Sequence, residues 1–119
     1  MAEFMLLYVN RPGSPPAPLS DADLQAVIAR YIAWSERVAA QGHASPRGGA
    51  RLIDVYADPG RVVSNTNGEF LAAYGPLAET KEVVGGYTVI EATNYDEVVE
   101  LCRDHPAAEH GSIVIRQLA

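Results

Sequence analysis

Cysteine is nearly absent from this 119-residue chain: Cys102 stands alone. No intramolecular disulfide can form, and zinc sites built on CxxC pairs are excluded. Bases are also scarce, with 9 Lys and Arg against 15 Asp and Glu and a net charge of −6. Nucleic-acid surfaces depend on clustered Lys and Arg, so no nucleic-acid partner is expected. No apolar run approaches the roughly 18 residues of a membrane span, and the first nine residues lack the basic start and apolar core of a signal peptide. A cytoplasmic protein without a membrane partner is therefore expected, and a lone thiol suits a reducing compartment. The chain has three histidines but no HxH or HExxH spacing, so no metal site is expected. Phosphate loops, GxGxxG and GxSxG are missing as well, which removes local support for a nucleotide cofactor or a hydrolase elbow. No cofactor is expected.

What remains is the composition of a single domain over residues 1–119, with 48% hydrophobic residues and enough length for one core. Residues 4–9 (FMLLYV) form a continuous apolar run, which predicts a strand buried on both faces or across an interface. The next segment, 12–18, holds four prolines and a glycine and must be loop. Ser20, followed by Asp21 and Asp23, supplies an N-cap with acids in the first turn, and Gly42 closes the helix it starts. Leu24, Val27, Ile28, Tyr31, Trp34 and Val38 share one arc of that helix, so it covers a sheet with one face. Tyr31 and Trp34 either pack into the core or rim a cleft.

The piece HASPRGG reads as flexible, and a strand at 50–57 is expected to pair with a short strand at 61–64 around the turn Asp58-Pro59-Gly60. The clearest later strand is 86–92, with Tyr87, Val89 and Glu91 on one face and Thr88, Ile90 and Ala92 on the other. Asn94 and Glu97 cap a second helix carrying Val98, Leu101 and Cys102, and His105-Pro106 stops it. Alternation at 112–118 predicts a last strand. The order β-α-β-(β)-β-α-β is the split βαβ, ferredoxin-like α+β arrangement, an antiparallel sheet with both helices on one face. Its other face would be open although the strands are apolar on both sides, so a homodimer pairing the two sheets is expected.

Residues 74–86, YGPLAETKEVVGG, tie a turn and a cluster of charges to the start of a strand. Gly75, Pro76, Ala78, Glu79, Thr80, Lys81, Glu82, Gly85, Gly86 and Tyr87 closely resemble the signature of the YCII-related family, in its DGPF-domain branch. Tyr74 stands where that motif has aspartate, and Leu77 replaces its phenylalanine. The resemblance implies a dimeric α+β barrel. Glu79 and His105 are the candidate catalytic residues: a carboxylate beside Lys81 can be tuned as an acid or base, and an imidazole works near neutral pH. Tyr8, Tyr74, Lys81 and Glu82 are the candidate ligand-binding residues. The plainer readings are a solvated turn of surface ion pairs at 79–82 and a helix-terminal histidine that complements the dipole. Tyrosine at position 74 cannot replace a carboxylate base at neutral pH. Paired glycines ahead of the strand mark a bulge or a close backbone approach. Cys102 reads as core.

Three readings stay open at this point. One is binding or transformation of a small molecule in a cleft beside the turn. Another is a non-catalytic accessory or regulatory role, which the missing aspartate favours; some relatives are associated with extracytoplasmic-function sigma factors. A structural dimer without ligand is the third possibility.

Overall fold

The computed structural model describes residues 1–10, 20–53, 58, 60–74 and 83–119. The chain runs β1 (Ala2–Asn10), α1 (Asp21–Ala40), β2 (Ala44–Arg51), β3 (Arg61–Thr66), β4 (Glu69–Tyr74), β5 (Val83–Ala92), α2 (Tyr95–Leu101), α3 (Ala107–His110) and β6 (Gly111–Gln117). Four strands form an antiparallel sheet in the order β2-β5-β1-β6, and among the described residues β3 pairs only with β4, in a separate two-stranded sheet. With that hairpin set aside, the order is the one the split βαβ arrangement requires. The α+β expectation holds.

Alternation decides which side of the sheet meets the helices. Phe4 and Leu6 of β1 and Ile90 and Ala92 of β5 pack with Trp34 and Val38 of α1 and Val98 and Cys102 of α2 in one buried cluster. Both helices start where their caps put them. The Ser20 hydroxyl accepts from the Asp23 N–H, and the Asn94 side chain accepts from the Glu97 N–H while Glu97 takes the Thr93 N–H. The apolar arc of α1 is only half used: Trp34 and Val38 are buried, but Leu24 and Ile28 stay exposed.

On the opposite face, β1 and β5 present Met5, Leu7, Val9, Tyr87 and Val89, and β6 presents Val114. Val9 and Val89 are buried among their neighbours, whereas Val84 and Val114 remain exposed.

Two local expectations need correction. The HASPRGG piece is not a flexible spacer: Ala44–Arg51 is an edge strand whose register against β5 slips between Ala44 and Gly49. Nor does the strand at 61–64 pair back onto 50–53, the described part of the expected 50–57 strand. It pairs forward, from Arg61↔Tyr74 to Thr66↔Glu69, around the two-residue turn Asn67-Gly68. Both turn residues have positive φ, 54° and 83°, which is the type I′ geometry that Asn-Gly favours because its twist matches a hairpin. Residues 54–57 lie outside the described residues. The Asp58 side chain does accept from the Gly60 N–H, as the turn there requires. A short helix, α3, also follows His105-Pro106. Among the described residues no helix is long and apolar enough to cross a membrane.

The paired glycines do what their position suggests. The β1–β5 register slips at Tyr8/Val9: Tyr8 faces Gly86 and Val9 faces Val84, so Gly85 is the extra residue of a bulge. Gly85 uses its carbonyl to bind the Leu52 N–H. A Cβ on Gly86 would sit 2.8 Å from the Ala50 carbonyl oxygen, which is backbone and cannot swing away. Gly86→Val should therefore destabilise the fold by about 1–3 kcal/mol through overpacking, read as a lowered thermal midpoint. An unchanged midpoint would show that the strands have room to spare.

Candidate functional site

Two residues 97 positions apart meet under α1. Tyr8 projects from β1 near the bulge, on the helix side, and His105 sits in the turn between α2 and α3. The His105 Nε2 lies 3.0 Å from the Tyr8 hydroxyl, and that hydroxyl lies 2.6 Å from the Thr88 Oγ1 on β5. A third contact sets the direction of the chain. The Ala107 N–H donates to the His105 Nδ1 at 3.0 Å, so Nδ1 carries a lone pair and the ring proton is on Nε2. Nε2–H then donates to the Tyr8 hydroxyl, which shares a further hydrogen bond with the Thr88 hydroxyl in which either oxygen can donate. One backbone amide thus fixes the tautomer and the step from His105 to Tyr8.

Aromatic rings enclose the imidazole. Its centroid lies 4.3 Å from that of Trp34, 4.9 Å from Tyr8 and 5.4 Å from Tyr31, the last pair nearly perpendicular at 83°. Trp34 is itself anchored by donating to the Leu101 carbonyl at 2.8 Å. This burial is costly for charge. It pushes the His105 pKa down to about 4, and nearby Asp104 offsets only part of the effect. Burial likewise pushes Tyr8 up to about 12 against the Thr88 hydrogen bond, and raises Tyr31 against the neighbouring Arg30 and Arg51. At neutral pH the site is thus an uncharged group of protonated phenols and a neutral imidazole. The acid–base role expected for His105 meets a ring with both nitrogens engaged and no charge change near pH 7.

Of the six residues expected from the sequence, the structure brings Tyr8 and His105 together. Glu79, Lys81 and Glu82 lie outside the described residues, and Tyr74 ends β4 opposite Arg61. Glu82 directly precedes Val83, and Val83 pairs with Asn10, two residues beyond Tyr8. The signature segment therefore feeds into the sheet at the Tyr8 end. Two participants escaped the sequence reading. Thr88 was legible as a hydroxyl on the otherwise apolar face shared with Ile90 and Ala92, but Arg51 carried no signal apart from closing a strand.

An open groove of about 650 Å³ lies elsewhere, along the outer side of α1 and α2. Its arginines are already engaged, Arg37 with Asp104 and Arg103 with Glu100. It is a charged surface channel and has none of the buried polar chemistry found around Tyr8. Cys102 belongs to the core, and burial pushes its thiol up to about 11, far from a reactive thiolate. Among the described residues no group of three or more His, Cys, Asp or Glu is placed to hold a metal.

The family model of the YCII-related domain matches residues 2–119, essentially the whole chain. The chain belongs to the YCII-related family. A comparison with curated proteins found no match. In this YCII-related domain the matched region includes both the signature segment and the strand, turn and helix residues that build the Tyr8–His105 contact.

The buried imidazole gives the fold a pH dependence of definite sign. Its ordinary pKa of 6.5 falls to about 4 on folding. Between those values the unfolded chain binds a proton that the native one does not, so stability is complete above about pH 6.5 and falls as the pH drops toward 4. The shift corresponds to on the order of 3 kcal/mol. Denaturant unfolding of the wild type across this range should show the loss, and His105→Gln should show a shallower one. A His105 imidazole resonance, assigned by its loss in His105→Gln, that titrates near 6.5 in the native state would refute it.

Proposed function

We propose that this protein, within the DGPF branch of its family, is a cytoplasmic homodimer that binds a small organic molecule beside Tyr8. The observation that carries the reading is the hydrogen-bonded chain Ala107–His105–Tyr8–Thr88, buried under aromatic rings at the end of the sheet that the signature segment joins. Buried polar groups that hold one orientation are costly to assemble, and they cluster where a ligand must be read. His105 acts as a positioning residue that aims the Tyr8 hydroxyl. Any proton transfer at neutral pH belongs to Glu79, with Lys81 and Glu82 beside it in sequence. Tyr74 leaves the motif's acid out, so activity depending on that aspartate should be small as the protein stands and should rise in Tyr74→Asp, where positioned proton transfer contributes about 10²–10⁴-fold.

The homodimer follows from the apolar rows on the sheet face away from the helices, a centre of Met5, Leu7, Val9, Val89 and Val114. Sedimentation at micromolar concentration should give about twice the 12.8 kDa chain mass. A clean monomer would remove the barrel reading.

One observation favours the accessory role instead. The β3–β4 hairpin exposes Val63, Phe70 and Leu71, and an isolated hairpin with apolar side chains in water is what a protein partner would cover. A thermal-shift screen of phenolic, chlorinated and carbonyl-containing metabolites, with turnover assays on each hit, separates the two. Stabilisation of the wild type that weakens in Tyr8→Phe supports the ligand site, and loss of turnover in Glu79→Gln assigns the acid–base step. If no compound stabilises the protein, and a single protein partner is captured and then lost on Phe70→Asp, the accessory role replaces it.

A further inference from the structure

We propose that Arg51 is a carboxylate-recognition residue of the Tyr8 site, and that the ligand class is small, flat organic carboxylates. This rests on the ligand-site reading above and narrows it. Arg51 closes β2 opposite Gly86, and Gly86 in turn stands opposite Tyr8. Directly paired residues of antiparallel strands project to the same side, so Arg51 and Tyr8 both project to the α1 side of the sheet. Gly86 between them places no side chain in the way, and a Cβ there would meet the Ala50 carbonyl oxygen at 2.8 Å and lie in contact with the Tyr8 ring at 3.6 Å.

The Arg51 guanidinium is an electrostatic neighbour of the Tyr31 phenol, which lies across the ring cluster from Tyr8 at 6.4 Å between centroids. Among the described residues the other charges acting on Tyr31 are Arg30 and Glu109, and these hold each other in a two-pronged ion pair.

The charge pattern singles out this arginine. Arg30, Arg37, Arg47 and Arg103 each engage a carboxylate, from Glu109, Asp104, Glu3 and Glu100. Among the described residues Arg51 engages none, in a chain whose net charge is −6. Arg116 also lacks a described carboxylate partner, but it pairs with Met5 and so belongs to the opposite face. A guanidinium offers two parallel N–H donors that match one carboxylate. Protonated Tyr31 adds one more hydroxyl. A single cation suits a monoanion, whereas a phosphoester at about −1.5 to −2 charge would be left half neutralised. The rings of Tyr8 and Tyr31 provide flat apolar walls for the body of such a molecule.

The test is a titration of the wild-type protein with benzoate, benzamide and phenol, followed by thermal shift and by the resonances of the Tyr8 and His105 rings. Benzoate should bind at least tenfold more tightly than benzamide, and added salt should narrow the gap. Arg51→Gln should abolish the preference while leaving phenol and benzamide unchanged; Arg51→Lys should keep part of it, and Arg116→Gln all of it. If benzoate binds no better than benzamide, or Arg51→Gln leaves the gap intact, while the uncharged probes still perturb Tyr8, the carboxylate assignment fails and the ligand site stands. If no probe perturbs Tyr8 or His105, both fail together.

Discussion

The hydrogen bond from the His105 imidazole to the Tyr8 hydroxyl is the constraint around which the helix side of this molecule is arranged. It joins the first strand to the turn before α3, and the ring that makes it is held neutral by burial and by the Ala107 N–H donated to its Nδ1. Trp34 and Tyr31 of α1 pack against the imidazole, and the Ala107 amide removes the choice of tautomer. Among the described residues no buried side-chain polar atom is left without a partner. A half-satisfied network would cost more than an apolar core, which explains why the turn from α2 into α3 is shaped to bring one backbone N–H to Nδ1.

The same sheet serves two environments. Its helix side is a compact core with one polar line through it, and its other side is apolar and, among the described residues, has no helix over it. The bulge at Gly85 bears on both, because inserting one residue shifts the parity of β5. It places Val84 beside Val9 while Gly86 keeps its place beside Tyr8. A single extra residue thus lets the strand continue toward the signature segment with its alternation reset.

Much of this was legible in the sequence, because the signals are local. Ser20 and Asn94 with their acids mark helix starts, the alternation in 86–92 sorts Ile90 and Ala92 to the core, and the Gly-Gly pair announces a backbone irregularity. The errors have local causes too. β2 is rich in Gly, Pro and Ser and has no apolar alternation, so only its hydrogen bonds to β5 identify it as a strand. The β3–β4 hairpin had its signal in Asn67-Gly68, but the proline turn at 58–60 offered a competing one. At the site, Tyr8 and His105 could be named individually, but no spacing reveals a contact across 97 residues, and the neutrality of His105 depends on burial that pattern alone does not supply.

The hairpin also sets a clock. An exposed element that has no sheet partner beyond itself among the described residues opens without disturbing the core, so the amides of β3 and β4 should exchange with solvent far faster than those of β1 and β5. Anything that covers it adds to its opening free energy in proportion to the logarithm of its own concentration. The exchange rate of this one arm therefore gauges how much of the protein is alone and how much is in company.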